Sequence, residues 1–156
     1  MADITHGTWI KDGKAVDAVY QSGVKVYGRN LITEGHDQII SSESSDYNYR
    51  VLYTKLVPGI KYNFQTIATL TGSADNLVTV SVYGSDFGVP ALVKTEIVAN
   101  GEVSSCQFTA PDNGEFVLIY AGKQGATSGI EANFKQIKLE IGDQTAFSIA
   151  PEDILN

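Results

Sequence analysis

The chain has 156 residues, of which 43% are apolar, 10% aromatic and 19% charged, enough for one globular domain that buries a real core. Eighteen acidic residues against eleven basic ones leave a net charge of −7, a field that repels nucleic-acid phosphates and anionic lipid, and a single cysteine, Cys106, excludes an internal disulfide framework. The opening Met-Ala-Asp-Ile-Thr-His-Gly has no basic region followed by an apolar stretch, and no run approaches the ~18 apolar residues of a membrane-spanning helix, so neither nucleic acid nor membrane is an expected partner.

Along the chain the apolar pattern has period two, which predicts an all-β protein. The most helix-like spacing, 75–82, is broken by β-branched residues that suit a pleated surface. A weak repeat aligns 10–16 with 20–26, and each copy carries a hairpin-turn dipeptide, Asp12-Gly13 and Ser22-Gly23, which predicts a small meander through Tyr27. The polar stretch 41–46 reads as a solvated loop, and alternation resumes over 49–56. Val57-Pro58-Gly59 marks a turn before a strand over 61–70, with Tyr62, Phe64, Thr66 and Ala68 on one face and Asn63, Gln65, Ile67 and Thr69 on the other.

The next strand, 77–83, points Val78, Val80 and Val82 towards the expected core and Thr79, Ser81 and Tyr83 away from it. Asn100-Gly101, between 93–99 and 102–108, is the strongest hairpin signal in the chain. Asp112-Asn113-Gly114 turns into a strand over 116–121, and a glycine-rich loop over 122–129 leads to a long final strand, 130–141. About eight strands after Asn30 suit an antiparallel β-sandwich of jelly-roll type. The expected organisation is an N-terminal β-meander or linker over 1–28, the sandwich over 29–150 and a C-terminal tail over 151–156.

Catalytic chemistry finds little support in the residues. The acidic side chains are scattered through turns, with no pattern of a paired acid and base, and Glu140 on the last strand reads as a solvent-facing residue. His6 and His36 accompany no nucleophile elbow, and Cys106 reads as a small core residue. No zinc or EF-hand spacing is present, and no cofactor is expected; a structural calcium ion would need oxygens from Glu34, Asp37 and Glu140 brought together by the fold.

What stands out is aromatic and amide content: eight tyrosines against one tryptophan, with amides placed on strand faces and loops. Sugar rings stack their C–H faces on aromatic side chains, while planar amides and charged groups direct hydrogen bonds to hydroxyls. The candidate ligand-binding residues are Tyr47, Tyr49 and Arg50 beside the serine-rich loop, Tyr83, Asp86 and Phe87 at the end of the valine strand, Gln65 and Gln107 opposite the core, and Tyr120 with Lys123 at the glycine-rich loop. Tyrosines in strands are also ordinary half-buried packing residues; Tyr20, Tyr27 and Tyr62 are assigned to packing, with Trp9 closing the meander over the sandwich.

Three segments carry a resemblance to a known family. The opening, from Trp9-Ile10-Lys11-Asp12-Gly13 through Val24-Lys25-Val26-Tyr27-Gly28-Arg29-Asn30-Leu31, resembles the lead-in of tail and baseplate proteins of phages infecting lactic acid bacteria. Leu56-Val57-Pro58-Gly59-Ile60-Lys61-Tyr62-Asn63-Phe64 is similar to the strand entry of jelly-roll carbohydrate-binding modules. Lys138-Leu139-Glu140-Ile141-Gly142 and Ala150-Pro151-Glu152-Asp153 resemble the endings of such modules in phage tails, except that Phe147 stands where the family often has Trp.

The resemblance implies a non-catalytic carbohydrate-binding module of a Lactobacillus siphophage evolved distal tail or tail-associated baseplate protein. Its implied partner is the cell-wall polysaccharide of a Gram-positive host, and its implied place the tail tip of the virion. A chain of this length is expected to be a module of such a protein, monomeric by itself within an oligomeric parent. A structural tail spacer without sugar affinity and a glycan-cleaving domain are the alternative functions.

Overall fold

A computed structural model describes residues 2–5, 7–33 and 35–155. Strands β1 (Ala2–Thr5), β2 (Thr8–Lys11) and β3 (Lys14–Ala15) form one small antiparallel sheet, and β4 (Ala18–Gln21) with β5 (Val24–Gly28) forms a separate hairpin. Both expected turns are present. Asp12 and Gly13 have φ of 53° and 73°, and Ser22 and Gly23 have 51° and 79°. Positive φ at both central residues gives a backbone twist that matches the flanking strands. The two repeats thus build two hairpins, but these belong to different sheets and do not join into one meander.

Eight strands make the sandwich: β6 (Gln38–Ile40), β7 (Tyr49–Tyr53), β8 (Lys61–Thr71), β9 (Leu77–Tyr83), β10 (Val93–Val98), β11 (Asn100–Thr109), β12 (Phe116–Tyr120) and β13 (Glu131–Ile141). A short helix, α1 (Glu152–Leu155), follows. One sheet has the order β10-β9-β12-β7 and the other β11-β8-β13-β6, with every pairing antiparallel. This strand order, in which the chain repeatedly crosses from sheet to sheet, is a jelly roll. The fold is therefore the all-β sandwich the period-two pattern predicts. Between the sheets, Val78, Val80 and Val82 of β9 and Val117 and Ile119 of β12 meet Tyr62, Phe64 and Ala68 of β8 and Phe134, Ile137 and Leu139 of β13.

Three expectations require correction. Asn100-Gly101 does not close a hairpin: β10 pairs with β9 and β11 with β8, so the dipeptide carries the chain from one sheet to the other. An Asn-Gly turn shortens the chain's path wherever a sharp reversal is needed, and here buried Ala99, whose N–H is held by Asn76 O at 2.8 Å, anchors the crossing. Tyr20 does not pack the hairpin; it is 62% exposed, whereas Tyr27 is buried beside Trp9 with ring centroids 6.4 Å apart.

Glu140 is not solvent-facing. It is completely buried, as is Lys138, because the segment 143–148 and β5 cover the outer face of β13 at this point. Its Oε1 accepts from Lys25 Nζ at 3.1 Å and from Thr145 Oγ1 at 2.7 Å, and its Oε2 accepts from Thr145 N at 3.0 Å. Lys138 Nζ donates to Ala146 O, Ser148 Oγ and Thr145 Oγ1 at 2.7, 3.0 and 3.1 Å. Burial pulls the Lys138 ammonium down to about 8, against the raising influence of Glu140 and with Lys25 adding to the drop. Buried charge is tolerated here because each group has several partners.

Candidate functional site

The site lies on the outer face of the β10-β9-β12-β7 sheet. Register pairs Tyr83 with Phe116, Ser81 with Leu118, and Tyr120 with Tyr49. These side chains share the face opposite the core valines, and Tyr83, Leu118 and Tyr120 form a second apolar cluster of their own, joined by Tyr49 and Phe116. Alternation alone would leave this face wet. Two loops cover part of it: 84–92, which brings Phe87 back over the sheet, and the glycine-rich 122–129, whose Gly122 carbonyl accepts from Thr79 N at 2.9 Å.

Phe87 is the hub of the aromatic cluster. Its centroid lies 5.3 Å from Phe116, 5.4 Å from Tyr83 and 6.1 Å from Tyr49, edge-on to the first and last, and Tyr49 continues the array to Tyr120 at 5.5 Å. Such pairs contribute about 0.5–1.5 kcal/mol each beyond the area they bury. Asp86 Oδ1 accepts from Gly88 N at 2.8 Å and so fixes the turn that carries Phe87. Asp86 is a positioning residue and does not line the groove.

Between these loops runs a groove of about 420 Å³. Tyr83, Leu118 and Tyr120 form its buried floor, and Tyr47, Tyr49, Phe87 and the 88–90 backbone its walls. Tyr47 is 60% exposed and Phe87 37%, so two rings stand open to solvent at the rim.

One amide is set among the rings and phenols of this surface. Gln124 accepts from Ser81 Oγ at 2.7 Å through Oε1, donates to the Tyr83 hydroxyl at 2.6 Å through Nε2, and anchors its own N–H on Thr79 Oγ1 at 2.9 Å. Its amide is therefore oriented before any ligand arrives, with one N–H and one lone pair to spare. Burial, and then a hydrogen bond with Tyr83, raise the Tyr120 phenol above its ordinary value, so its hydroxyl stays protonated. No charged side chain lines the groove among the described residues.

No family model and no curated protein matches the chain. Solved structures of similar shape exist. One, described as "CBM4 structure and function", is 16% identical, with 83% of this chain and 92% of that chain covered at a TM-score of 0.48. The Clostridium thermocellum N-terminal endo-1,4-beta-D-xylanase 10B CBM22-1-GH10 modules complexed with xylohexaose are 16% identical, with 77% of this chain and 25% of that chain covered at 0.46. A Bacillus endospore appendage protein from a family of disulfide-linked pili is 17% identical, with 69% and 84% covered at 0.35. Similarity at this level leaves the chemistry to be read from the residues themselves.

Five of the ten candidate residues, Tyr47, Tyr49, Tyr83, Phe87 and Tyr120, come together around the groove. The others do not. Arg50 pairs with core-side Ile119, placing it on the other face of the edge strand from Tyr49. Lys123 turns to Glu96 at 3.7 Å. Gln65 and Gln107 lie on the outer face of the opposite sheet, Gln65 buried against Thr145 O at 2.7 Å and Gln107 exposed on its edge strand. The candidate set lacks the 88–90 wall and Leu118 of the floor, and among polar side chains of the groove it lacks Gln124. Its place depends on the glycine-rich loop folding back over β9, which no local pattern states.

Other chemistry finds no constellation. Among the described residues no three His, Cys, Asp or Glu side chains converge as for a metal ion. Of the three expected calcium ligands, Glu140 is occupied by the contacts above, Asp37 Oδ1 accepts from Gln136 N at 3.0 Å, and Glu34 lies outside the described residues. His36 sits against Phe147 with centroids 5.8 Å apart, and His6 lies outside the described residues. Burial pushes the Cys106 thiol up to about 12, which leaves no thiolate for nucleophilic attack.

Proposed function

We propose that this chain is a non-catalytic carbohydrate-binding module whose site is the groove on the β10-β9-β12-β7 sheet. The observation that carries this reading is the open pair of rings, Tyr47 and Phe87, beside a pre-oriented Gln124 amide and a floor of Tyr83 and Tyr120. A sugar places its C–H face on a ring and its hydroxyls on the amide and phenols, and each element needs no movement to receive it. The absence of charge along the groove suits a neutral saccharide.

The finer reading follows from the sequence motifs at both ends: the module belongs to a phage tail tip or baseplate and binds cell-wall polysaccharide of a Gram-positive host. Single-site affinity is weak, since sugar–water hydrogen bonds are exchanged for protein–sugar ones, and repeated copies in an oligomeric parent supply avidity. The module itself is monomeric and uses no cofactor. Retention of the fluorescently labelled domain on purified Gram-positive walls tests the function. Retention that is competed by neutral wall polysaccharide and lost in Phe87→Ala supports it; no retention on any wall fraction makes the domain a spacer. Release of reducing ends during incubation would make it a glycan-cleaving enzyme.

A further inference from the structure

The outer face of the opposite sheet carries a feature that the groove does not use. β13 bulges between Lys135 and Lys138, where its register with β8 shifts, and Gln136 in that bulge has φ of 53°. Among the described residues the other non-glycine positions with positive φ are Asp12, Ser22, Asn76 and Asn113, polar residues of turns and loops that tolerate this conformation. Gln136 stands in a strand, where glycine would fit at no steric cost. Its backbone N–H is taken by Asp37 Oδ1 at 3.0 Å, and its side chain is exposed, so core packing does not explain why a long amide occupies a strained position. Bulges re-aim side chains, and backbone strain concentrates at sites of function.

A shallow depression of about 440 Å³ adjoins this bulge. Gln65, Gln136 and Gln144 supply three amides to its lining, and Phe147 and Val103 supply apolar surface. Gln65 is held in place because its Nε2 donates to Thr145 O at 2.7 Å and faces Glu140 Oε2 at 3.5 Å, which leaves its Oε1 as the available acceptor. Phe147 is half-buried and braced by His36, while Val103 is exposed. None of the residues lining the depression carries a formal charge, in a chain with 29 charged side chains.

We infer that this depression is a second saccharide-binding site, for a neutral glycan, built around Gln136 and Phe147 on the face opposite the groove. A pyranose ring packs its C–H face on Phe147 and exchanges hydrogen bonds with the Gln136 and Gln144 amides and with Gln65 Oε1. A charged ligand would find no counter-charge in the lining, and the negative net charge of the chain disfavours an anionic one. Sites on both faces make the module bivalent, so that one copy can engage two chains of a polysaccharide layer. The residues are independent of the groove, and only the ligand class is shared with the function proposed above.

Backbone amide NMR shifts of the 156-residue chain, titrated with hexasaccharides of β-1,4-glucose, β-1,4-xylose and α-1,4-glucose and with neutral wall polysaccharide of lactobacilli, test the inference. Shifts at Gln136, Gln144 and Phe147 that persist in Phe87→Ala are expected. Gln136→Gly should keep the bulge and leave Tm unchanged or higher, yet weaken binding at this face roughly fivefold, the loss of one hydrogen bond. A purely structural Gln136 would not lose binding on this substitution. Shifts confined to the groove would overturn the second site while leaving the groove reading intact. Unchanged spectra with every probe would overturn both.

Discussion

Lys25 and Glu140, 115 residues apart, form an ion pair of 3.1 Å in which the carboxylate is wholly shielded from solvent. Lys25 also donates to Ile141 O and Asp143 O at 2.6 and 2.8 Å, so one ammonium fastens the β4–β5 hairpin to the end of β13 and to the segment beyond it. Thr8 Oγ1 to Ile149 O at 2.6 Å fastens β2 to the same C-terminal segment. The N-terminal hairpins are thereby docked on the sandwich through polar contacts.

Breaking this pair from one side should be costly. Glu140→Ala removes the counter-charge from the Lys25 and Lys138 ammonium groups, which keep only neutral acceptors, and should lower unfolding free energy by about 3–5 kcal/mol, read as a shift of the urea midpoint. The double variant Lys25→Met with Glu140→Leu removes both charges of the pair and should recover part of that loss. Equal midpoints for Glu140→Ala and wild type would show that the cluster is not what holds the C-terminal segment.

Lys138 should leave a signature at alkaline pH. Its folded value, about 8, lies below the 10.5 of an ordinary lysine, so between these the unfolded chain binds more protons than the folded one and stability contributed by this group rises with pH. Cys106 acts in the opposite sense, since its thiol is raised from 9.0 to about 12 and the unfolded chain ionises first. The difference between wild type and Lys138→Met isolates the lysine. That difference should move in favour of wild type as pH increases from 8 to 10.5, by up to about 3 kcal/mol, in denaturant titrations at fixed pH. A pH-independent difference would refute the burial of this ammonium.

Within the groove, ring and hydroxyl should separate. Phe87→Ala should weaken saccharide binding about threefold to tenfold and also lower Tm, because it removes three ring contacts together with the rim surface. Tyr83→Phe keeps the ring but leaves Gln124 Nε2 without its acceptor, and should weaken binding while the fold persists. Tyr62→Ala is the contrast: its ring stacks on Phe108 with centroids 5.7 Å apart, and its loss should cost about 3–5 kcal/mol of stability. Calorimetric titration and thermal melts of the three variants distinguish these outcomes.

Gly28 and Gly13 should differ in the origin of their cost. A Cβ on Gly28 would collide with Glu140 Oε1 and approach Lys25 Nζ to 2.7 Å, so Gly28→Ala should destabilise by about 1–3 kcal/mol through the ion pair. Gly13 has no atom within 4 Å of its would-be Cβ, and Gly13→Ala should cost only about 1 kcal/mol, the strain of φ 73°. In the Glu140→Leu background the Gly28 penalty should change and the Gly13 penalty should not.

The strands β7 to β13, their faces and the turns at Asp12-Gly13 and Ser22-Gly23 were legible from the residues, because each depends on local terms, period-two alternation, β-branched content and positive φ; the short strands β1 and β6 were not. The core valines of β9 follow from alternation alone. Partnership was not legible. Asn100-Gly101 carries a hairpin signature, yet which strand lies beside β10 depends on hydrogen bonds to β9 rather than on the dipeptide.

The same division separates the members of the candidate site. Tyr83 of β9 could be named because it alternates away from the core, and Tyr49 and Tyr120 because they adjoin polar and glycine-rich loops, but their convergence with Phe87 depends on the register of three strands and a returning loop. Alternation assigns a residue to a face; whether that face meets water depends on segments distant in the chain. For this reason Glu140, a charged strand residue, reads as exposed from its neighbours and is buried by β5 and 143–148. Composition and periodicity determined an acidic, all-β sandwich, and long-range packing decided which polar groups became its interior and which rings remained open.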